Sequence, residues 1–173
     1  MISPLQMPGE KVRMLTEIAD RLLHVPNIVA VVLGGSYARG LAGPGSDLDV
    51  GLYYREASPF SIDQARSVAE SICTAGSVPI IVGLYEWGPW VNGGAWIQTP
   101  VGKVDFLHRN LDQVQRVIDE GKRGVLSHDY DQQPPYGFRS IVYFGESHFC
   151  VPLHDPEGEI ARLKQSVSEY PRS

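Results

Sequence analysis

The sequence predicts an α/β domain, and three observations predict it. Apolar, β-branched runs bounded by Gly or Pro recur at 28–33, 47–54 and 79–85, as buried strands require. Longer segments with apolar residues at helical spacing lie before, between and after them, at 10–23, 61–76, 111–121 and 156–170. A glycine turn, Leu33-Gly34-Gly35-Ser36-Tyr37-Ala38-Arg39-Gly40, follows the first strand and leads to Gly45-Ser46-Asp47-Leu48-Asp49-Val50.

In chain order, Val12, Leu15, Ile18, Ala19 and Leu22 give the first helix one apolar face, and Pro26 stops it. The strand at 28–33 empties into the glycine turn, and Ser36 opens a short helical turn. Gly40, Gly43, Pro44 and Gly45 punctuate the connection to the strand at 47–54. Ser61 and Gln64 read as a capping box for a helix ending near Gly76, and 79–85 reads as an apolar strand. The segment 86–99 is rich in Trp and Gly, with Asn92-Gly93-Gly94 as a turn. The turn from Pro100 to Gly102 closes a hairpin between 95–99 and a strand through Asp105. A helix over 111–121 turns Val114, Val117 and Ile118 inward, and 124–136 reads as loop. The stretch 141–153 is apolar but ambiguous between helix and strand, and 156–170 reads as a terminal amphipathic helix.

The 173 residues suit one compact unit, with 43% hydrophobic and 20% charged residues. A net charge of -5 argues against a nonspecific grip on nucleic acid, because neutralising phosphates needs clustered Lys and Arg. Cys73 and Cys150 form no Cys-x-x-Cys pair, so free thiols in a reducing compartment are expected. With no apolar leader in 1–13 and no run of membrane-spanning length, a cytoplasmic location with no membrane partner is expected.

The turn and the two aspartates share one chemistry. Gly34 and Gly35 lack Cβ atoms, which permits positive φ and lets a polyphosphate approach the backbone amides and the Ser36 hydroxyl. Alternation along 47–54 sends Leu48, Val50 and Leu52 to one face and Asp47 and Asp49 to the other. Their Cα atoms should lie about 6 to 7 Å apart. Paired carboxylates beside a polyanion repel it unless cations intervene, and magnesium suits such oxygen ligands.

These residues resemble the DNA polymerase beta-like nucleotidyltransferase superfamily. The resemblance rests on Gly35-Ser36-x-x-x-Gly40, six further residues, then Asp47-x-Asp49. It implies a mixed, mostly antiparallel sheet with helices packed on one face. It also implies a third carboxylate on a neighbouring strand, for which Asp105 in Val101-Gly102-Lys103-Val104-Asp105-Phe106-Leu107 fits. Asp47, Asp49 and Asp105 are then the expected catalytic residues and ligands of two magnesium ions, with Gly34, Gly35, Ser36, Arg39 and Gly40 holding the nucleotide. The implied reaction transfers AMP from ATP, or a monophosphate from another nucleoside triphosphate, to a hydroxyl of a small molecule and releases pyrophosphate. An antitoxin-like enzyme that adenylylates a partner protein and a noncatalytic nucleotide-binding module stay open as alternatives. Residues 1–155 are expected to form the catalytic domain, and 156–173 a helix that is the remnant of, or replacement for, the helical domain many relatives carry.

Four side groups complete the expectations. Arg39 and Arg109 are candidates to bridge phosphate oxygens, although ion pairing or solvation is the plainer role, and Lys103 shares that ambiguity. His108 alternates to the opposite side and is expected to be structural. Trp87, Trp90 and Trp96 are expected to close an edge of the core rather than to stack on a base or acceptor ring. His128, Asp129 and Asp131 form a rival metal constellation, set aside as turn chemistry before Pro134-Pro135.

Overall fold

The computed structural model describes residues 7–132 and 135–169. The expected leader-free start through Gln6, the end of the expected loop run at Gln133 and Pro134, and Tyr170 of the last expected helix lie outside the described residues. The elements run α1 (Gly9–Leu22), β1 (Ala30–Leu33), α2 (Gly35–Ala38), β2 (Leu48–Tyr54), α3 (Ile62–Ile72), β3 (Ile80–Ile81) and β4 (Gly94–Thr99). They continue with β5 (Gly102–Asn110), α4 (Leu111–Lys122), β6 (His128–Asp129), β7 (Phe138–Arg139), α5 (Val142–Phe149), β8 (Val151–His154) and α6 (Glu159–Ser168). No helix among the described residues is long and apolar enough to cross a membrane.

Six strands form one sheet in the order β3-β4-β5-β2-β1-β8, and β6 pairs with β7 in a separate ribbon. Within the large sheet only β2 and β5 run parallel; the other neighbours are antiparallel, so the sheet is mixed and mostly antiparallel. The hairpin forms where expected, with Thr99 paired to Gly102.

Strand alternation divides the core in two. Val31 and Leu33 of β1 and Leu48, Val50, Leu52 and Tyr54 of β2 face a core closed by Leu15, Ile18 and Leu22 of α1 and Ala65, Ala69 and Ile72 of α3. Ala30, Val32 and Tyr53 face the other way, against Leu111, Val114, Val117 and Ile118 of α4, Tyr143 and Phe144 of α5, and Ile160 and Leu163 of α6. The single helical layer expected from the resemblance is thus α1 and α3, and a second layer packs on the opposite face. Two of its helices, α4 and α6, are held at their starts: the Asn110 side chain caps α4 by accepting from the Asp112 and Gln113 amides. Arg55, just past β2, pairs with Asp112 of α4 and Glu159 of α6.

Two segments differ from the sequence reading. The expected strand at 79–85 is reduced to Ile80–Ile81; the Val82 amide still donates to Gly94, but Tyr85 then turns with φ of 63°. The ambiguous stretch 141–153 contains both a helix and a strand, α5 and β8, joined at Cys150, whose φ and ψ of −54° and 149° end the helix.

His108 of β5 is fully buried, meets Phe60 edge to face at 5.1 Å, and has no hydrogen-bond partner on either ring nitrogen among the described residues. Burial, with the Arg109 charge beside it, pushes its pKa down to about 4. The unfolded chain, with an ordinary His pKa near 6.5, therefore binds this proton first. This contribution to stability is complete above about pH 6.5 and falls by roughly 3 kcal/mol as pH drops towards 4. His108→Phe should flatten the decline, as urea titrations between pH 4 and 7 would show; an unchanged slope would remove His108 as its cause.

Candidate active site

The glycine turn is laced to β2 at Asp49. Beyond Leu33 the Gly34 amide donates to the Asp49 carbonyl at 2.8 Å, one step past the β1–β2 ladder. Gly35 has a φ of 58°, and a Cβ added there would lie 1.7 Å from Asp49 Oδ2. Glycine is required at Gly35 on both counts, because side chains disfavour that backbone and the carboxylate fills the space. The single turn of α2 follows, and Gly40, with φ of 68°, ends it. Arg39 is exposed, its guanidinium 5.5 Å from the centre of the Phe149 ring.

Strand pairing sets two of the three carboxylates side by side. In the parallel ladder Asp49 of β2 stands opposite Asp105 of β5, and Asp47 precedes β2 by one residue. All three are half-buried. Burial first, then Asp105, Asp47 and Glu146, push the Asp49 pKa up to about 6. The Asp105 carboxyl is raised by burial and by Asp47, and Lys103 partly offsets this. The donor set, all carboxylate oxygen, suits magnesium. Among the described residues, however, no three His, Cys, Asp or Glu side chains converge in a group that could hold a metal ion. His128, Asp129 and Asp131 make a turn: Asp129 Oδ1 accepts from the Asp131 and Gln132 amides, and His128 Nε2 lies 3.0 Å from the Tyr136 carbonyl.

A cavity of about 460 Å³ opens beside Asp49. Gly34, Gly35, Ala38 and Arg39 form one wall, strand residues including Asp49, Gly51, Tyr53 and Arg109 the floor, and Val142, Gly145, Glu146, Phe149 and Cys150 the roof. Asp47 and Asp105 lie outside this lining. Arg109, expected as a phosphate ligand or ion-paired, is ion-paired: Nε and Nη2 each donate to Glu146 at 2.8 Å, and the residue is 5% exposed. Burial pushes the Cys150 thiol up to about 11, so it stays protonated.

Sequence reasoning missed the roof of this cavity, Glu146 above all. It also missed Lys11, which is buried, donates to the Ser46 carbonyl and lies 5.1 Å from the centre of the Tyr37 ring. Lys11 thereby ties α1 to the residue before Asp47. Its signal was a lysine on the 11-15-18-22 apolar stripe of that helix. Of the tryptophans, Trp87 and Trp90 pack against the second core, as expected, with Trp90 stacked on Phe138 at 5.5 Å. Trp96 does not: it is 47% exposed and is the cross-strand partner of Asp105.

The raised Asp49 pKa reverses the usual carboxylate effect. Between the unfolded value near 3.8 and about 6 the folded state binds more protons, so stability falls as pH rises through that window. Asp49→Asn should therefore stabilise the metal-free protein at neutral pH by on the order of 1 kcal/mol, after discounting for solvent, and lose the advantage below about pH 4. Melting curves at the two pH values test this; a destabilised variant at neutral pH would contradict it. Gly35→Ala should cost about 1 to 3 kcal/mol in urea unfolding, from the backbone strain and the displaced Asp49 carboxylate.

Residues 13–87 match the family model described as a nucleotidyltransferase domain. No curated protein matches the chain significantly. The matched segment contains the glycine turn, Asp47 and Asp49, and ends before the strand that carries Asp105. At residues 13–87 the chain thus carries a nucleotidyltransferase domain of the polymerase beta-like superfamily.

Proposed function

We propose that the protein transfers AMP from ATP to a hydroxyl of a small molecule, and that 1–155 form the catalytic domain completed by the helix in 156–173. The observation that carries this reading is the pairing of Asp49 with Asp105 beside the glycine turn at Gly35. The acceptor oxygen forms a bond to the α-phosphorus, the bond to the pyrophosphate oxygen breaks, and the hydroxyl proton leaves to solvent. The triphosphate lies against the backbone of Gly34, Gly35 and Ser36, with Arg39 and Gly40 at the end of the turn. Exposed Arg39 is free of any carboxylate partner among the described residues and supplies positive charge there.

Asp47, Asp49 and Asp105, whose donors are all carboxylate oxygens, would hold two magnesium ions. Bound magnesium lowers the acceptor hydroxyl pKa and neutralises triphosphate charge. The chain's own part is to hold these carboxylates ionised and aimed, which Asp49, with its pKa near 6, does increasingly as pH rises. Because the ion must displace the Asp49 proton, magnesium affinity should rise as pH increases through about 6, as calorimetric titration of the metal at pH 5 and 7 would show.

The net charge of -5 favours a small acceptor over a polynucleotide. The free thiols of Cys73 and Cys150 fit a cytoplasmic location. Incubation with α-labelled ATP and magnesium should label a small hydroxyl compound. Asp47→Asn should reduce this by at least about a thousandfold, since a bound ion is worth several kcal/mol in the transition state. Label transfer that survives the substitution would defeat the carboxylate assignment, and label appearing on a partner protein would favour the antitoxin-like alternative.

A further inference from the structure

Across the sheet, one row of the site face carries four features in order: the glycine turn after β1, Asp49 on β2, Asp105 on β5 and Trp96 on β4. Directly paired residues on adjacent strands share a face, with Cβ atoms about 5 Å apart, so the Trp96 and Asp105 side chains leave the sheet next to each other. Trp96 is 47% exposed, and Trp87 braces it at a ring separation of 4.6 Å and a tilt of 38°. Trp87 is itself fixed, its carbonyl accepting from the buried Gln132 amide. Lys103 and its cross-strand partner Gln98, both exposed, edge this surface with hydrogen-bonding groups.

In an in-line displacement the attacking oxygen and the leaving group lie on opposite sides of the phosphorus. With pyrophosphate leaving on the glycine-turn side of Asp49, the acceptor approaches from the Asp105 side, where Trp96 stands. We propose that Trp96, braced by Trp87, is the acceptor platform, and that the acceptor is a small compound with a flat ring that stacks on the indole and presents a hydroxyl to the Asp105 side. This rests on the nucleotidyl-transfer reading and names the acceptor class and the residue that selects it. Stacking rewards a flat ring face and gives little to an open-chain alcohol. Trp96 is a positioning residue, because it holds the acceptor without touching the reacting phosphorus.

The indole N–H resonances of the three tryptophans, assigned from Trp→Phe variants, provide the test. Phenyl β-D-glucopyranoside, which joins a flat ring to hydroxyls, should shift Trp96 and Trp87 and leave Trp90 in place. Methyl β-D-glucopyranoside should bind about tenfold more weakly, as loss of one stacked ring implies. A nonhydrolysable ATP analogue with magnesium should leave the Trp96 signal unmoved. Trp96→Ala should raise the KM for the phenyl glucoside about tenfold with kcat little changed, and Trp96→Tyr should restore it.

Equal binding of the two glucosides, a still Trp96 signal, or a Trp96 shift caused by the ATP analogue would each overturn the platform. No calorimetric heat of binding for the ATP analogue with magnesium, with the glucoside shifts intact, would instead overturn the nucleotidyl-transfer reading on which the platform's role rests.

Discussion

The parallel pairing of β2 with β5 sets two aspartates side by side, and the rest of the site is arranged around that juxtaposition. Like charges on neighbouring strands, half-buried, oppose folding at neutral pH. The fold tolerates them because both strands are anchored elsewhere. On the opposite face, Leu48, Val50, Leu52, Val104 and Phe106 are fully buried in the core under α1 and α3. Apolar burial on that scale outweighs a local repulsion on the order of 1 kcal/mol. The glycine turn, bonded through Gly34 to the Asp49 backbone, is fixed to the same strand as the charge it accompanies.

The second helical layer sets the other boundary of the site. α4, α5 and α6 pack at the Tyr53 end of the sheet, so α5 roofs a cavity that reaches Asp49. The Arg109–Glu146 pair connects roof to floor with two charge-assisted hydrogen bonds in a buried setting. Such a pair contributes little net stability over an apolar contact but fixes orientation strongly. On the opposite side of the carboxylates, Trp96 and Trp87 bound the open part of the same face.

What was legible in the sequence is what local chemistry determines. Alternation from Leu48 to Leu52 assigned the faces of β2 correctly, Ser61 capped α3 as read, and Gly35 has the positive φ that its place in the turn suggested. The pairing of Asp105 beside Asp49 followed from the resemblance, since no periodicity identifies a strand's neighbour. What was not legible depends on partners distant in sequence. Glu146 meets Arg109 across 37 residues, and neither position advertises the other. α5 is too short, at 8 residues, for its periodicity to separate it from the following strand. The 79–85 run reads as strand by composition, but only Ile80 and Ile81 find a ladder, because Tyr85 turns back to meet Asn92. Trp96 escaped because exposure depends on what packs above it, and only Trp87 does so among its aromatic neighbours in the described residues.

The most direct measurement is a crystal structure of the protein with magnesium and a nonhydrolysable ATP analogue. The account predicts ions held by Asp47, Asp49 and Asp105, with the triphosphate against the backbone of Gly34, Gly35 and Ser36. A triphosphate bound away from that turn, or bound there while the aspartates stay apart with no ion between them, would contradict it.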